Sequence, residues 1–376
     1  MCVYIYIYIY LSINIFTPFF IIMTNNKNNN VQIKIFALVL LVIQNCALIL
    51  TMKYSTSKKI DLKERYLPIV AVTLNECMKF SACLIVVICK GEFRKTIQES
   101  FFDSKDYILT CLPAVLYFVQ NNLLYFAVSR LDTAVFQVTY QLKILTTAIF
   151  SVFLLNKLLT KKQWIALFLL VPGVALVQLS AHHDVHDNSG SESGILNQTP
   201  PQLKLMRQFS GLFAVLAACI TSGFAGVYFE KVLKGKTGTM WSRNLQLSSA
   251  SIIIGIFGIF STHYVEIVER GPFVGFGLSA WMTVMLQALG GLVVAAVVKY
   301  ADNIIKAFAT SVSILLSSVL SYFLFDWHPT MRWSIGACLV FCAVYIYGTA
   351  NKNVKVGITG NKKKSLGLKK GGICSV

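Results

Sequence analysis

Apolar runs of about 20 residues recur along almost the whole chain, and they constrain its fold more than any other feature. A transmembrane helix needs about 20 mostly apolar residues to cross a hydrocarbon core about 30 Å thick. The composition agrees, because 56% of the 376 residues are hydrophobic and only 13% are charged. The sequence therefore predicts an all-α polytopic membrane protein.

We predict ten spans after an N-terminal extension, residues 1–32. Their approximate ranges are 33–52, 66–89, 107–128, 132–155, 162–180, 209–233, 241–262, 279–298, 303–325 and 332–349. The extension opens with an alternating Tyr-Ile run, and Met23 follows it. The run has no basic residue before it and no small-residue cleavage site after it, which disfavours a signal peptide. We expect the extension to be disordered, or a gene-model artefact before Met23.

The topology follows from the even number of spans, which places both termini on one side. The tail, residues 350–376, holds seven lysines and no acid. The positive-inside rule therefore predicts that both termini are cytosolic. The connector with Lys157, Lys161 and Lys162 agrees. The basic first connector, residues 53–65, disagrees, because the count places it on the opposite side.

A polar connector, residues 181–208, divides the spans into two groups of five, residues 33–180 and 209–349. We predict that it is lumenal and flexible; its histidines (His182, His183 and His186) fit a linker better than a metal site. Asn197 within it opens a glycosylation sequon that Pro200 disfavours.

The two groups of spans resemble each other. Asp132 and Asp302 each open a span, and at the same offset Ser151 matches Ser321. Because five is odd, the second copy would cross the membrane upside down. Inverted repeats of this kind suit alternating access, with a substrate site near the bilayer midplane.

Lys143 lies about 16 Å into the fourth predicted span, near the middle of the hydrocarbon core. A charge at this depth is costly and usually faces a cavity with an anionic ligand or partner. Gln137, Tyr140, Lys143 and Thr147 have the spacing of one polar stripe on a helix.

The third span adds a second polar group, because Tyr117, Gln120 and Asn121 occupy adjacent turns. Rings, amides and an ammonium group suit the base, ribose and phosphate of a nucleotide. The alternative is an internal polar network that only holds the helices together.

Polar residues in other spans leave two interpretations open. Glu76 and Lys79 can neutralise each other within their helix or contact a ligand. Ser222 lies on a small-residue face that is typical of close helix packing. Asn244 could face the cavity.

Lys299 and Lys306 form a second cationic cluster, which would meet the Lys143 site if the two halves face each other. An interfacial anchor explains Lys306 well. Lys299 is harder to explain in this way, because its span contains Gly290-Gly291, which lets backbones approach closely.

Several function classes find no support in the sequence. It contains no nucleophile–base–acid set, no P-loop and no Cys/His cluster at metal spacing. We therefore predict a protein that is not an enzyme, with no catalytic residue, cofactor or metal. The net charge of +18 lies mainly in connectors and the tail, and no basic helix favours nucleic-acid binding.

Five sequence blocks, in order, resemble the nucleotide-sugar transporter family. They read Q-N-N-L-L-Y (120–125), D-T-A-V-F-Q-V-T-Y-Q-L-K (132–143), S-G-F-A-G-V-Y-F-E-K (222–231), W-S-R-N-L-Q-L (241–247) and G-G-L-V-V-A-A-V-V-K-Y-A-D-N-I-I-K-A-F-A-T-S (290–311). The resemblance covers about residues 33–349 and is strongest to the branch for UDP-galactose, UDP-N-acetylglucosamine and CMP-sialic acid. It implies the drug/metabolite transporter fold, with ten helices as two inverted five-helix repeats.

The resemblance also implies roles for individual residues. The base would be read by Tyr117, Ser222 and Asn244. The ribose and phosphate would be held by Asn121, Tyr140, Lys143 and Lys299, while Glu76 and Lys79 would lie towards the sugar. Together with Gln120, these residues form the predicted substrate-binding set.

The same resemblance implies a Golgi antiporter that imports a UDP-sugar, UDP-N-acetylglucosamine and/or UDP-galactose, in exchange for lumenal UMP. Ser248 stands where CMP-sialic acid transporters resemble one another in having Tyr, which favours uracil. A CMP-sialic acid transporter and a membrane-embedded transferase with a nucleotide-sugar donor are the alternatives. A homodimer and an association with Golgi glycosyltransferases both remain open.

Overall fold

The computed structural model describes residues 30–57, 66–102, 104–186, 201–235, 238–262, 264–325 and 329–370. These residues form helices and connectors without any strand. The α-helices are α1 (Asn30–Ser57), α2 (Pro68–Cys89), α3 (Phe93–Ile97), α4 (Ser104–Val128), α5 (Thr133–Tyr140), α6 (Lys143–Leu155), α7 (Lys161–His186), α8 (Pro201–Leu233), α9 (Met240–Thr262), α10 (Tyr264–Arg270), α11 (Leu278–Tyr300), α12 (Asn303–Phe325) and α13 (Met331–Lys370). A short π-helix, Gln98–Phe102, follows α3.

Ten helical stretches of the described residues are long and apolar enough to cross a membrane, which confirms the predicted polytopic class. They are Val31–Met52, Pro68–Cys89, Tyr107–Val128, Ala134–Leu155, Lys161–Ser180, Met206–Leu233, Met240–Thr262, Leu278–Tyr300, Asn303–Leu324 and Met331–Ala350. The fourth span consists of α5 and α6. Large side chains such as Phe153, Phe213 and Phe257 point outwards, as expected for a surface that faces lipid rather than water.

The packing of the spans repeats after an offset of five. The third span packs on the sixth as the eighth packs on the first, and the fourth packs on the sixth as the ninth packs on the first. The contact between the third and seventh spans likewise corresponds to the contact between the eighth and second spans. The fifth span packs on the tenth and the second packs on the seventh, so in each of these pairs a span contacts its own counterpart in the other repeat. Because five is odd, the two copies cross the membrane in opposite directions, as the sequence predicted.

The most extensive of these interfaces joins α7 to α13. Trp164 and Trp333, which the repeat relates to each other, both pack against its apolar core. A Cβ atom on Gly336 would lie 2.8 Å from the carbonyl oxygen of Gly173. Glycine at position 336 therefore lets the two backbones approach closely, as in many membrane helix pairs.

Some predicted boundaries differ from the structure. α7 continues to His186 and α8 begins at Pro201, so helices occupy both ends of the predicted connector. α13 continues to Lys370, so most of the basic tail has a helical backbone. Residues 1–29 and Asn197 lie outside the described residues. The domain boundaries themselves remain a prediction.

We use two names for the ends of the helix bundle. The termini side is the end at which α1 begins and α13 leaves the membrane span. The linker side is the opposite end, at which α7 ends and α8 begins.

Candidate functional site

The fourth span is discontinuous near its midpoint. α5 ends at Tyr140 and α6 begins at Lys143. Between them, the N–H groups of Gln141 and Leu142 donate to carbonyls only three residues back, at 3.2 and 3.0 Å. The residue spacing predicted a single continuous α-helix, and that prediction is wrong at this point. The span therefore tightens into one turn of the 3₁₀ type, and the α-helix resumes at Lys143.

Contacts from the sixth span, α8, stabilise this break. The Cys219 thiol lies 3.6 and 3.5 Å from the carbonyls of Thr139 and Tyr140 and shares its single hydrogen between them. The Thr139 carbonyl also accepts from the Leu142 N–H group, so the thiol adds a second donor at the end of α5. The Thr146 hydroxyl in turn donates to the Cys219 carbonyl at 2.7 Å.

Gly223 allows α8 to lie this close to α6. A Cβ atom there would be 2.6 Å from the Thr146 Oγ1 atom and 2.9 Å from the backbone of Thr146 and Thr147. Any larger residue would push the two helices apart. Ser222, a predicted base-binding residue, is the neighbour of Gly223 and is half-buried.

Three predicted site residues meet at the break. The Lys143 Nζ atom lies 3.9 Å from the centre of the Tyr140 ring, within the range of a cation–π interaction. The Gln120 Nε2 atom donates to the Tyr140 hydroxyl at 3.3 Å. The Oε1 atom of Gln120 is buried and has no hydrogen-bond partner. The structure thus joins the third and fourth spans around Tyr140.

Lys143 has no salt-bridge partner among the described side chains. Its ammonium group lies against the ring face of Tyr140. An ammonium group without a counter-ion, at the start of a helix inside a membrane span, is suited to bind an anion.

A second group of predicted residues meets between the second, third and eighth spans. Glu76 Oε1 and Lys79 Nζ form a salt bridge of 2.6 Å, with side chains only 13% and 12% exposed. The other carboxylate oxygen, Oε2, is buried without a hydrogen-bond partner. The carboxylate also interacts electrostatically with Tyr117. The stem of Lys79 lies against Gly291 of α11.

The remaining predicted residues are not joined to these groups by any described bond. The buried Asn244 side chain donates to the Met240 carbonyl of its own helix at 2.8 Å. Asn121 is exposed and Lys299 is half-buried. Their proposed contacts to a nucleotide remain predictions.

Lys306 is a candidate that the sequence interpretation assigned to the membrane interface. In the structure it is half-buried and interacts electrostatically with Lys143 and with Glu230 of α8. Lys299, which was also expected to meet the Lys143 site, interacts electrostatically with Lys90, and its place at that site stays a prediction. The sequence feature that could have identified Lys306 as a site residue is its spacing from Thr310, because four residues place both side chains on one face of the ninth span.

Within the described ranges, no cluster of three or more His, Cys, Asp or Glu side chains could hold a metal ion. The groups that do converge are an ammonium, an aromatic ring, amides and a carboxylate–ammonium pair. This set can bind an anion and a planar polar group.

Comparison with known families identifies the protein class. A family model described as "Nucleotide-sugar transporter" matches residues 29–348. The chain belongs to the nucleotide-sugar transporter family. This membership agrees with the ten spans and with a charged, uncompensated site near the middle of one of them.

Several relatives of this family member carry names that specify a nucleotide sugar. A UDP-N-acetylglucosamine transporter of Canis lupus familiaris is 42% identical over 341 residues, covering 89% of this chain and 99% of the relative. The UDP-N-acetylglucosamine transporter of Rattus norvegicus is 44% identical, covering 84% and 95%. A UDP-galactose translocator of Mus musculus is 42% identical, covering 86% and 80%. All three are named for transport and none for catalysis.

A solved crystal structure shares the fold. It is 12% identical in sequence and superposes with a TM-score of 0.59, covering 86% of this chain and 98% of the other. At this identity the likeness concerns the architecture alone.

Proposed function

We propose that this transporter imports a UDP-sugar into the Golgi lumen in exchange for UMP, by alternating access. The sugar is N-acetylglucosamine, galactose or both. The observation that carries the proposal is Lys143, a cation without a described counter-ion at a helix start in the middle of a span. The diphosphate of a nucleoside diphosphate sugar would supply the negative charge that the Lys143 ammonium group needs as a counter-ion.

The phosphate end of the ligand belongs at the break in the fourth span. Lys143 provides a compact charge directly after this turn, near the middle of the span. The Tyr140 ring holds the ammonium in place, and Lys306 adds a second cation within electrostatic range.

The sugar end fits the pair formed by Glu76 and Lys79. Sugar hydroxyls can donate hydrogen bonds, and the Glu76 Oε2 atom is a buried acceptor without a partner. N-acetylglucosamine and galactose both present several such hydroxyls. The relatives named for each of the two sugars support the same choice for this chain.

Exchange and orientation follow from the architecture and the charge distribution. Two inverted five-helix repeats support alternating access around a central site. The tail with its seven lysines supports a cytosolic termini side. UMP shares the uridine and one phosphate with the imported UDP-sugar, so the same residues can bind it on its return.

The proposal is tested in liposomes that contain the purified protein. One batch is loaded with UMP, a second with CMP and a third with buffer, and each receives labelled UDP-N-acetylglucosamine or UDP-galactose outside. We expect rapid uptake only into liposomes loaded with UMP. Equal uptake into empty liposomes would contradict exchange, and faster uptake with CMP inside would favour the CMP-sialic acid alternative.

The Golgi location is tested separately, by imaging the fluorescently labelled full-length chain together with Golgi and endoplasmic reticulum markers. We expect overlap with the Golgi marker. Retention in the endoplasmic reticulum would contradict this part of the proposal, provided that the labelled protein still exchanges UMP in liposomes.

A further inference from the structure

A fully buried carboxylate lies at the termini side, outside the candidate substrate site. The Glu230 side chain at the end of α8 is 0% exposed. Its Oε1 atom lies 2.8 Å from both Lys157 Nζ and Lys234 Nζ. Its Oε2 atom accepts hydrogen bonds from the backbone N–H and the side-chain amide of Asn303, at 3.0 and 3.1 Å.

These residues form one network, here called the Glu230 cluster, which consists of Lys157, Glu230, Lys234, Asp302 and Asn303. Lys157 also lies 3.5 Å from Asp302 Oδ2. The side-chain amide of Asn303 donates to the Gly226 carbonyl at 2.6 Å, and Lys234 donates to the Ala301 carbonyl at 2.5 Å. The network thus ties the termini-side ends of the sixth, eighth and ninth spans together.

Lys157 is the only member of the Glu230 cluster that comes from the first five spans. It stands in the short connector between α6 and α7, directly after the span that carries Lys143. Its ion pair to Glu230 joins the connector after the fourth span to the sixth span, and its ion pair to Asp302 joins that connector to the start of the ninth span. The pair to Asp302 would have to break if the third, fourth and sixth spans separated from the first, eighth and ninth spans at this end.

The linker side shows a different arrangement in the part of the chain that the structure describes. Asp132 is the counterpart of Asp302 in the repeat, but its side chain is exposed and forms no described salt bridge. The described contacts between the two repeats at that end go to neutral acceptors: Arg130 donates to the Ser210 hydroxyl at 2.9 Å, and Arg207 donates to the Ser129 carbonyl at 2.7 Å.

We infer that the Glu230 cluster is an ionic latch, which closes the termini side between transport steps and opens through release of Lys157. The latch lies close to the substrate site, because Lys306 stands one helical turn after Asn303. Lys306 lies within electrostatic range of both Glu230 and Lys143. An anion bound between Lys143 and Lys306 would compete with Glu230 for the charge of Lys306. Substrate would thereby weaken the latch from inside.

The inference rests on alternating access in the proposed function, but its test requires no transport. Lys157→Met removes the ion pairs to Glu230 and Asp302 and leaves Glu230 paired with Lys234 and Asn303. Lys162→Met is the matched control, because Lys162 is exposed and forms no described salt bridge. Hydrogen–deuterium exchange of the full-length protein in nanodiscs, without substrate, then reports the opening of each end.

For Lys157→Met we expect about 5-fold faster hydrogen–deuterium exchange of residues 228–234 and 302–308. A loss of about 1 kcal/mol of interaction energy changes an opening equilibrium by about this factor. Residues 129–136, at the linker side, should exchange more slowly, because that end closes when the other opens. The control should match the unmodified protein. Glu230→Gln should show the same reciprocal pattern more strongly.

Unchanged exchange at the termini side in Lys157→Met would overturn the latch. Faster exchange at both ends would overturn it as well, because that result indicates general destabilisation. If Glu230→Gln fails to fold, Lys157→Met alone decides the question. Failure of UMP exchange in liposomes, with the reciprocal pattern intact, would instead count against the proposed function.

Discussion

The site around Lys143 and the Glu230 cluster bury charge in opposite ways. Lys143 has no described counter-ion, and buried acceptor atoms on Gln120 and Glu76 lack partners. Glu230 is completely buried, yet both of its oxygens are saturated by two ammonium groups and an asparagine. Unsatisfied polar atoms suit a ligand that comes and goes, whereas a saturated network suits contact between parts of the protein itself.

The largest effect that we predict tests the saturated region. Glu230→Ala should lower the free energy of unfolding by about 3 kcal/mol, because removing one member of a buried ion pair leaves the others uncompensated. We place the effect at the lower end of the usual range, since Lys157 and Lys234 are 25% and 33% exposed. Thermal unfolding of the purified protein in detergent measures it.

The control for this change is Glu266→Ala, which removes a 2.8 Å ion pair to Arg270 in which the carboxylate side chain is 37% exposed, whereas that of Glu230 is 0% exposed. Such a pair contributes about 0.5 kcal/mol. An equal loss of stability in the two variants would remove the contrast between the two regions.

The next effect tests the unsatisfied region. Lys143→Met should slow exchange by UMP roughly 30- to 100-fold, since an interaction with a charged group contributes about 2–3 kcal/mol. The ligand-free protein should keep its melting temperature or gain a few degrees, because no carboxylate loses its partner. Uptake assays and thermal unfolding with and without UMP measure the two effects. A markedly less stable ligand-free variant would show that Lys143 has a structural role.

A smaller effect concerns the packing that holds the break in the fourth span. Gly223→Ala should destabilise the protein by about 2 kcal/mol, because the new methyl group would overlap the α6 backbone. Gly348→Ala is the matched control, since a Cβ atom there meets nothing within 4 Å. Alanine is also the better helix former at that position. Equal melting temperatures for the two variants would contradict the close approach of α8 to α6.

The smallest effect separates the ring of Tyr140 from its hydroxyl. Tyr140→Phe keeps the ring beside Lys143 and removes the acceptor for Gln120, a loss of about 1 kcal/mol. We expect an approximately 5-fold higher KM for the UDP-sugar with little change in stability. Tyr345→Phe, on a side chain that is 73% exposed, should change neither. If Tyr140→Phe reduced transport as strongly as Lys143→Met, the ring contact would not explain the site.

Much of the fold was predictable, because span length and apolar character are local properties. All ten spans were found, and Asp132 marked the start of the fourth. The depth of Lys143 in its span was enough to identify it as a candidate. The repeat was visible in Asp302, Ser321 and Trp333, and the packing of the spans confirmed it.

The break in the fourth span could not be predicted, because neither proline nor glycine stands between Tyr140 and Lys143. The thiol that donates to the carbonyls at the end of α5 comes from Cys219, in another span. Glu230 likewise looked like the end of a span. Two of its partners, Lys157 and Asn303, lie 73 residues before and after it in the sequence. The third, Lys234, lies one helical turn further along the chain.

The sequence by itself determined where the chain crosses the membrane and that a lysine must lie near the middle of one span. Both depend on the thickness of the hydrocarbon core and on residues close together in the chain. Only the tertiary structure decided which charges are paired, since pairing depends on distances between helices far apart in sequence. It left Lys143 without a described counter-ion and enclosed Glu230 among four donors, and that difference separates the proposed binding site from the proposed latch.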